Sequence, residues 1–210
     1  MAGRTQGTAA GLTRARIAAA AVALVDRDGL DRFGVRRLAD ELGVDPMSIY
    51  NHVKGKSALL DAVSEAVLTE MAADLDDAPR HWEEIARSTA HSYRAMAYRH
   101  PRVFPLLATR PQNSPVALAA LEHLVTAMRA AGLPDRVVAD APLTLFGFLN
   151  GYLLAVLNGD PSATPAIDPA RYPTMAALTP LTDFGSAPEF DRMLNTVLTG
   201  IRARSAPSGP

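Results

Sequence analysis

Along most of this chain the apolar residues recur three and four positions apart, the spacing that lines one face of a helix. No hairpin dipeptide stands between alternating apolar runs, so strands are not expected and the pattern predicts an all-α protein. Thr13 caps a first helix reaching about Asp28, with Ile17, Ala20, Ala21, Leu24 and Val25 inward and Gly29 closing it. Val35, Leu38, Ala39 and Leu42 make the stripe of a second helix, which Gly43 ends. Val44 packs inward, and Asp45 followed by Pro46 is an N-cap with proline at the first helical position. The third helix, Pro46 to His52, therefore starts abruptly after a tight turn. Its Ile49 and the following Val53 lie on the inner face, which leaves Met47, Ser48, Asn51 and the polar tips of Tyr50 and His52 outward or sideways. A fourth helix, from about Lys56 to Ala73, carries Leu59, Leu60, Val63, Val67, Leu68 and Met71.

The acidic stretch Asp74 to Asp77, followed by Pro79, marks a domain boundary. Past it the periodicity places helices at roughly 81–99, 101–109, 115–131, 134–158, 169–178 and 187–203, punctuated by Pro101, Pro111 and Pro115. Pro142 falls inside a strongly apolar helical run and either kinks that helix or moves its start to Asp140. The expected organisation is a flexible arm at 1–12, a head at 13–73, a second helical domain at 74–204 and a disordered tail at 205–210. The stretch 159–173 is rich in Pro, Asp, Ser and Thr and reads as a loop.

Composition narrows what these helices belong to. The chain has 210 residues, 48% of them hydrophobic, enough for a sizeable core. It has no cysteine, which excludes disulfides and thiolate metal sites. The first residues lack the apolar core of a secretory leader and no run of about 18 apolar residues appears, so a soluble cytoplasmic protein is expected, with no membrane partner. The net charge of −1 is unevenly spread: residues 1–60 hold nine Lys/Arg against six Asp/Glu, and the remainder twelve against sixteen. Both lysines of the chain, Lys54 and Lys56, directly follow the third helix, where positive charge can neutralise phosphate.

The turn, cap and outward polar residues of 35–56 thus describe a helix-turn-helix with a DNA-facing second element, and a transcription regulator is the leading reading. The bland alternative is a helical hairpin whose charges only solvate a surface. Metal and catalytic readings find little. His52, His81, His91, His100 and His123 form no i, i+4 ligand pair, so no metal is expected, and His100 before Pro101 reads as a helix terminus. No serine elbow, glycine-rich phosphate loop or spaced carboxylate pair is present; no catalytic residue and no cofactor is expected.

With RRLA, LGV, Tyr50-x-His52 and Lys56 before Leu59-Leu60 in view, residues 13–73 resemble the DNA-binding head of the tetracycline-repressor (TetR) family. Val53 after the histidine places the likeness in the branch of the tetracycline repressor itself. The second domain is similar through Trp82, Ser92-Tyr93-Arg94 and Thr109-Arg110-Pro111, and the likeness fades after about residue 158. It implies a three-helix helix-turn-helix head linked by a fourth helix to a helical ligand-binding and dimerisation domain. It also implies a homodimer on a palindromic double-stranded operator, released by a small-molecule effector. On that likeness Arg36 reaches a base edge or phosphate, Met47 and Ser48 meet bases, and Tyr50, His52 and Lys56 meet phosphates, with Pro46, Asn51 and Lys54 on the same surface. Gly34 and Val35 stand where the family carries Ser or Thr, so a cap and a hydroxyl are missing. Together with Pro46 and Met47 this makes the operator preference the chain's own.

On that likeness Leu106 stands at the position of the family's magnesium-ligating histidine and Ala72 at that of a second drug-contacting histidine, which argues against a tetracycline chelate. The expected effector is apolar or amphipathic, held by Thr89, Tyr93, Met96, Phe104, Thr109, Phe146 and Asn150. Gly147, Gly151 and Ala155, spaced to let helices approach, suggest one half of a dimer seam; Phe190, Leu194, Val197 and Leu198 suggest the other. Two alternatives stay open: a helical ligand carrier or enzyme that keeps the head only as scaffold, and an effector-independent DNA-binding activator.

Overall fold

The computed structural model describes residues 11–73, 81–159 and 167–204. The start of the expected arm, the acidic boundary at 74–77 with Pro79, residues 160–166 of the expected loop and the tail at 205–210 lie outside them. The described residues contain ten α-helices and two short 3-10 turns, without a strand. They fall into two compact units: the first is Met1–Ala78 with Ala95–Glu122, the second Pro79–Arg94 with His123–Pro210.

In the first unit α1 is Arg14–Asp28, opened by the Thr13 hydroxyl, which accepts from the Arg16 N–H at 3.1 Å. Leu12 and Ile17, flanking that cap at the positions of a hydrophobic staple, are both buried. Its inward face includes Ala18 in place of the expected Ala20, which is half-buried. A 3-10 turn, Leu30–Arg32, which the periodicity does not reveal, leads to α2, Val35–Leu42. Gly34 offers α2 no side-chain cap, as expected from a residue without a hydroxyl. Gly43 takes the left-handed φ of 66° that the sharp turn into α3, Pro46–His52, requires. The long α4, Gly55–Ala73, buries Leu59, Val63, Val67, Leu68 and Met71. α1 packs across α4 and α2, and α2 on α3, so Ile17, Leu24, Leu38, Ile49 and Leu59 share one core. Burying each such side chain contributes about 1.5–3 kcal/mol, which holds a head of short helices that would not be stable alone.

The same unit includes the end of α5, Trp82–Arg99, then α6, Phe104–Thr109, and the start of α7, Pro115–Ala130. α6 begins three residues later than the spacing predicts, because Pro101 cannot continue a helix and a turn fills 101–103. Phe104, Leu106 and Leu107 are buried, and α6 packs on α4.

The second unit is built on α8, Asp135–Asn158, which starts ahead of Asp140 and continues past Pro142. It also holds α9, Pro173–Leu178, a 3-10 turn, Thr179–Leu181, and α10, Ala187–Ala203. α9 starts later than expected, at a proline suited to the first helical position. The Ser186 hydroxyl caps α10 by accepting from the Glu189 N–H at 3.0 Å. α8 is long and apolar enough to cross a membrane, by length and composition. Here Leu145, Leu149 and Leu153 are buried and the helix packs on α10, which makes it a core helix of the unit.

That packing corrects the expected dimer seam. Phe190, Leu194 and Leu198 are 1%, 0% and 0% exposed within the chain itself, so they belong to its own core. Phe190 stacks on Phe148 at 6.0 Å and meets Tyr152 at 5.5 Å and His91 at 5.6 Å. Helical periodicity marks an inward stripe without saying whose interior it faces. Gly147, Gly151 and Ala155 are exposed and Val197 is half-buried, so these four stay on the surface.

An ion pair between Glu83 and Arg202 joins distant segments of this unit, while near the start of α10 Asp183 pairs with Arg192 and accepts from the Ser186 hydroxyl. Hydrogen bonding from Arg202 holds the Glu83 carboxyl below its ordinary range, and that from Ser186 does the same for Asp183. Depressed carboxylates stabilise the native state above the unfolded-state values and lose that contribution as pH falls through the folded ones. Thermal melts followed by circular dichroism should therefore show the midpoint falling steadily below about pH 4.5. The Glu83→Gln variant should fall less steeply; an equal slope would dismiss the pair.

Candidate functional site

α3 is short, and its exposed face depends on a well-made start. Asp45 Oδ1 accepts from the Met47 N–H at 2.8 Å, Pro46 occupies the first turn, and the Asp45 carbonyl accepts from Ser48 at 2.9 Å. Ile49 and Val53 anchor the inner face, each 1% exposed. Opposite them Met47 is 65% exposed, and Tyr50, Asn51 and His52 are also exposed, with Ser48 and Pro46 half-buried. An exposed thioether beside amide, phenol and imidazole groups suits a surface that meets base edges and phosphates.

The cations around this face are free to act. Arg36, Lys54 and Lys56 are exposed and have no ion-pair or hydrogen-bond partner among the described residues. The neighbouring Arg37 is engaged, donating to Asp28 Oδ2 at 2.7 Å and to the Arg32 carbonyl at 3.1 Å. Arg27 pairs with Glu41, whose carboxyl its hydrogen bond holds below the ordinary range. Internal pairing thus engages Arg27 and Arg37 and leaves Arg36, Lys54 and Lys56 unpaired among the described residues. Gly55, at φ 90°, separates the two lysines at the start of α4.

The expected effector residues divide. In the second unit Tyr93 donates its phenol hydrogen to Asn150 Oδ1 at 2.9 Å, and Phe146 stands edge-on to the Tyr93 ring at 5.4 Å. Burial pushes the Tyr93 phenol well up, so it remains a hydroxyl donor. Thr89, buried one turn earlier on α5, joins that face. In the first unit Met96 and Phe104 are buried, while Thr109 is exposed and gives its hydroxyl hydrogen to the Pro105 carbonyl at 2.6 Å. Thr109 is thus turned to its own helix. Leu106 is buried and apolar, and no group of three metal-competent side chains occurs among the described residues. A cleft of about 340 Å³ in the first unit is lined by Arg14, Asp61, Glu65, Gln112, Asn113 and Ser114, none of them an expected effector residue.

Periodicity missed one kind of residue: charged groups that meet across the first unit. Arg110 bonds Ser57 Oγ at 3.0 Å and Asp61 Oδ1 at 2.6 Å, and His100 lies between Asp26 and Glu70. These partners stand 30 to 74 positions apart in the chain, or 49 and 53 for Arg110, so no local signal could pair them.

Comparison with known proteins places this geometry. Residues 17–63 match the family model for bacterial regulatory proteins of the tetR family, and residues 76–205 match that for the tetracyclin repressor-like C-terminal domain. The HTH-type transcriptional repressor DrrR1 of Streptomyces coeruleorubidus is 31% identical over 93% of this chain and 82% of its own length. The class A tetracycline repressor protein from transposon 1721 in Escherichia coli is 31% identical, with 88% of each chain covered. Among solved structures, the Streptomyces coelicolor TetR family protein ActR in complex with actinorhodin superposes with a TM-score of 0.81 at 26% identity, over 95% of this chain and 100% of that one.

Proposed function

We propose, since this chain belongs to the tetracycline-repressor family of transcription regulators, that it binds a palindromic operator as a homodimer and is released by a small apolar or amphipathic effector. Membership in a family of regulators removes the enzyme alternative. The observation that carries the DNA reading is the split face of α3: Ile49 and Val53 inward, Met47, Tyr50, Asn51 and His52 outward, and three cations around them that are unpaired among the described residues. Phosphate contacts from Arg36, Lys54, Lys56, Tyr50 and His52 would set the register, and Met47 with Ser48 would read bases. Such a protein works where the chromosome is, which in bacteria is the cytoplasm.

The effector half of the reading rests on the buried Tyr93–Asn150 pair beside Phe146, a polar anchor in apolar surroundings. ActR in complex with actinorhodin supports a small-molecule ligand for this fold, and DrrR1, a repressor by name, supports the sign of regulation. Release requires that the effector bind the non-operator conformation better than the operator-bound one. A gel shift at fixed salt, on duplexes enriched from a random pool, tests the interface. Arg36→Ala should weaken binding by about tenfold or more and Tyr50→Phe by a few-fold. Folded variants that bind like the parent would sink the assignment.

A further inference from the structure

The corner between α5 and α6 holds charges that the DNA-facing surface leaves unused. His100 directly follows α5 and is buried, 8% exposed. Its Nδ1 lies 2.6 Å from Asp26 Oδ2 on α1, and its Nε2 3.2 Å from Glu70 Oε2 on α4. Arg99 bonds the same Glu70 carboxylate, and Arg102 donates to the carbonyls of Asp26 and Arg27 at the end of α1. Burial works against the Glu70 carboxylate, yet the bonds from Arg99 and His100 keep it below the ordinary range. The second Asp26 oxygen, Oδ1, is buried without a partner, which leaves the His100 ring as the sole side-chain donor to that group among the described residues.

Two acceptors therefore face one ring. A neutral imidazole owns a single N–H, and only the imidazolium donates from both nitrogens at once. We propose that His100 is a proton-sensitive positioning residue for operator binding: its imidazolium ties α1 and α4 to the α5–α6 corner, and loss of the ring proton removes its tie to one of them. The proposal rests on the reading of α2 and α3 as the operator-binding pair. α1 packs on both α4 and α2, and α2 on α3, so slack in α1 or α4 reaches the recognition helix through direct contacts.

The direction follows from which form makes both bonds. At low pH the ring donates to Asp26 and Glu70. As pH rises and the ring gives up its proton, one of the two carboxylates comes to face a lone pair, and its helix keeps only the arginine bonds at this corner. A loosened head must be ordered when it meets DNA, so affinity falls with rising pH.

The test uses the full-length protein and duplexes enriched from a random pool at pH 5.5, with affinity read by fluorescence anisotropy from pH 5.5 to 8.5 at constant ionic strength. His52 is a second imidazole, on the proposed DNA-facing surface itself, so every protein carries His52→Gln. The background protein should lose about tenfold or more in affinity across the range, the effect of one charge-assisted hydrogen bond. Adding His100→Gln should flatten the profile to within about twofold. Glu70→Gln should flatten it too, since an amide can accept from or donate to the ring, and it guards against a His100 variant that fails to fold. Nitrogen NMR at pH 5.5 should show both His100 ring nitrogens protonated. Parallel pH profiles in all three proteins, or a singly protonated ring at pH 5.5, would overturn the proposal. Failure to enrich any duplex would overturn the operator reading along with it.

Discussion

Gly151→Arg in α8 should yield a folded monomer whose operator affinity has dropped by about a hundredfold or more. Gly147, Gly151 and Ala155 form an exposed stripe at four-residue spacing, and Leu143, one turn before them, is 77% exposed. A Cβ built at Gly147 or Gly151 meets nothing within 4 Å, so the chain's own packing gives no reason for glycine there. A helix interior favours almost any residue over glycine, by about 1 kcal/mol relative to alanine. A second helix laid against this stripe would supply the missing reason. On α10, packed beside α8, Met193 and Gly200 are exposed and Val197 is half-buried, which extends the same face. A two-fold pairing of these faces would bury them in both copies. An arginine at 151 then breaks the pairing without disturbing the subunit. Because each copy would hold one half-site, the monomer loses the gain from linking two contacts. Sedimentation, far-UV circular dichroism and anisotropy on one sample decide the matter. A Gly151→Arg protein that remains a dimer with parental affinity would remove this face from the interface.

Phe190→Ala should act on the subunit instead, lowering unfolding free energy by about 3–5 kcal/mol. The ring is 1% exposed, contacts Phe148, Tyr152 and His91, and lies under the Arg94 guanidinium at 5.4 Å. Alanine would leave a cavity among three aromatic side chains and strip the guanidinium of its partner face. Urea unfolding at two protein concentrations separates this from a seam effect: loss of subunit stability is independent of concentration, whereas loss of a dimer contact is not. Val197→Ala serves as the contrast, since a half-buried residue should cost about 1 kcal/mol or less within the subunit. If Phe190→Ala left the unfolding curve unchanged and only shifted the monomer–dimer equilibrium, the placement of Phe190 in the chain's own core would be wrong.

Much of the head could be read directly from the amino-acid order, because its signals are local. Thr13, Gly29, Gly43 and the Asp45-Pro46 pair act within one turn of themselves, and both ends of α1, the end of α2 and the start of α3 fall where those residues place them. The outward face of α3 follows from the same local rule, since fixing Ile49 and Val53 inward fixes Met47, Asn51 and His52 outward. The sites beyond the head were less legible. Tyr93 and Asn150 were singled out and do bond, but Thr109, chosen with them, turns its hydroxyl to Pro105. A position on a helix sets which way a side chain leaves the backbone, whereas its partner depends on which helix arrives.

The helices, their caps, the turn of the head and the outward side chains of α3 were settled by chemistry acting over a few residues. Tertiary structure alone decided three things. Phe190, Leu194 and Leu198 went to the subunit's interior, because an apolar stripe is satisfied equally by its own chain or by a second copy. Arg36 was left free while Arg37 was consumed by Asp28, since adjacent arginines point in different directions around a helix. His100 came to rest between Asp26 and Glu70, because hydrogen bonds depend on distances in space, which chain separations of 74 and 30 residues do not reveal.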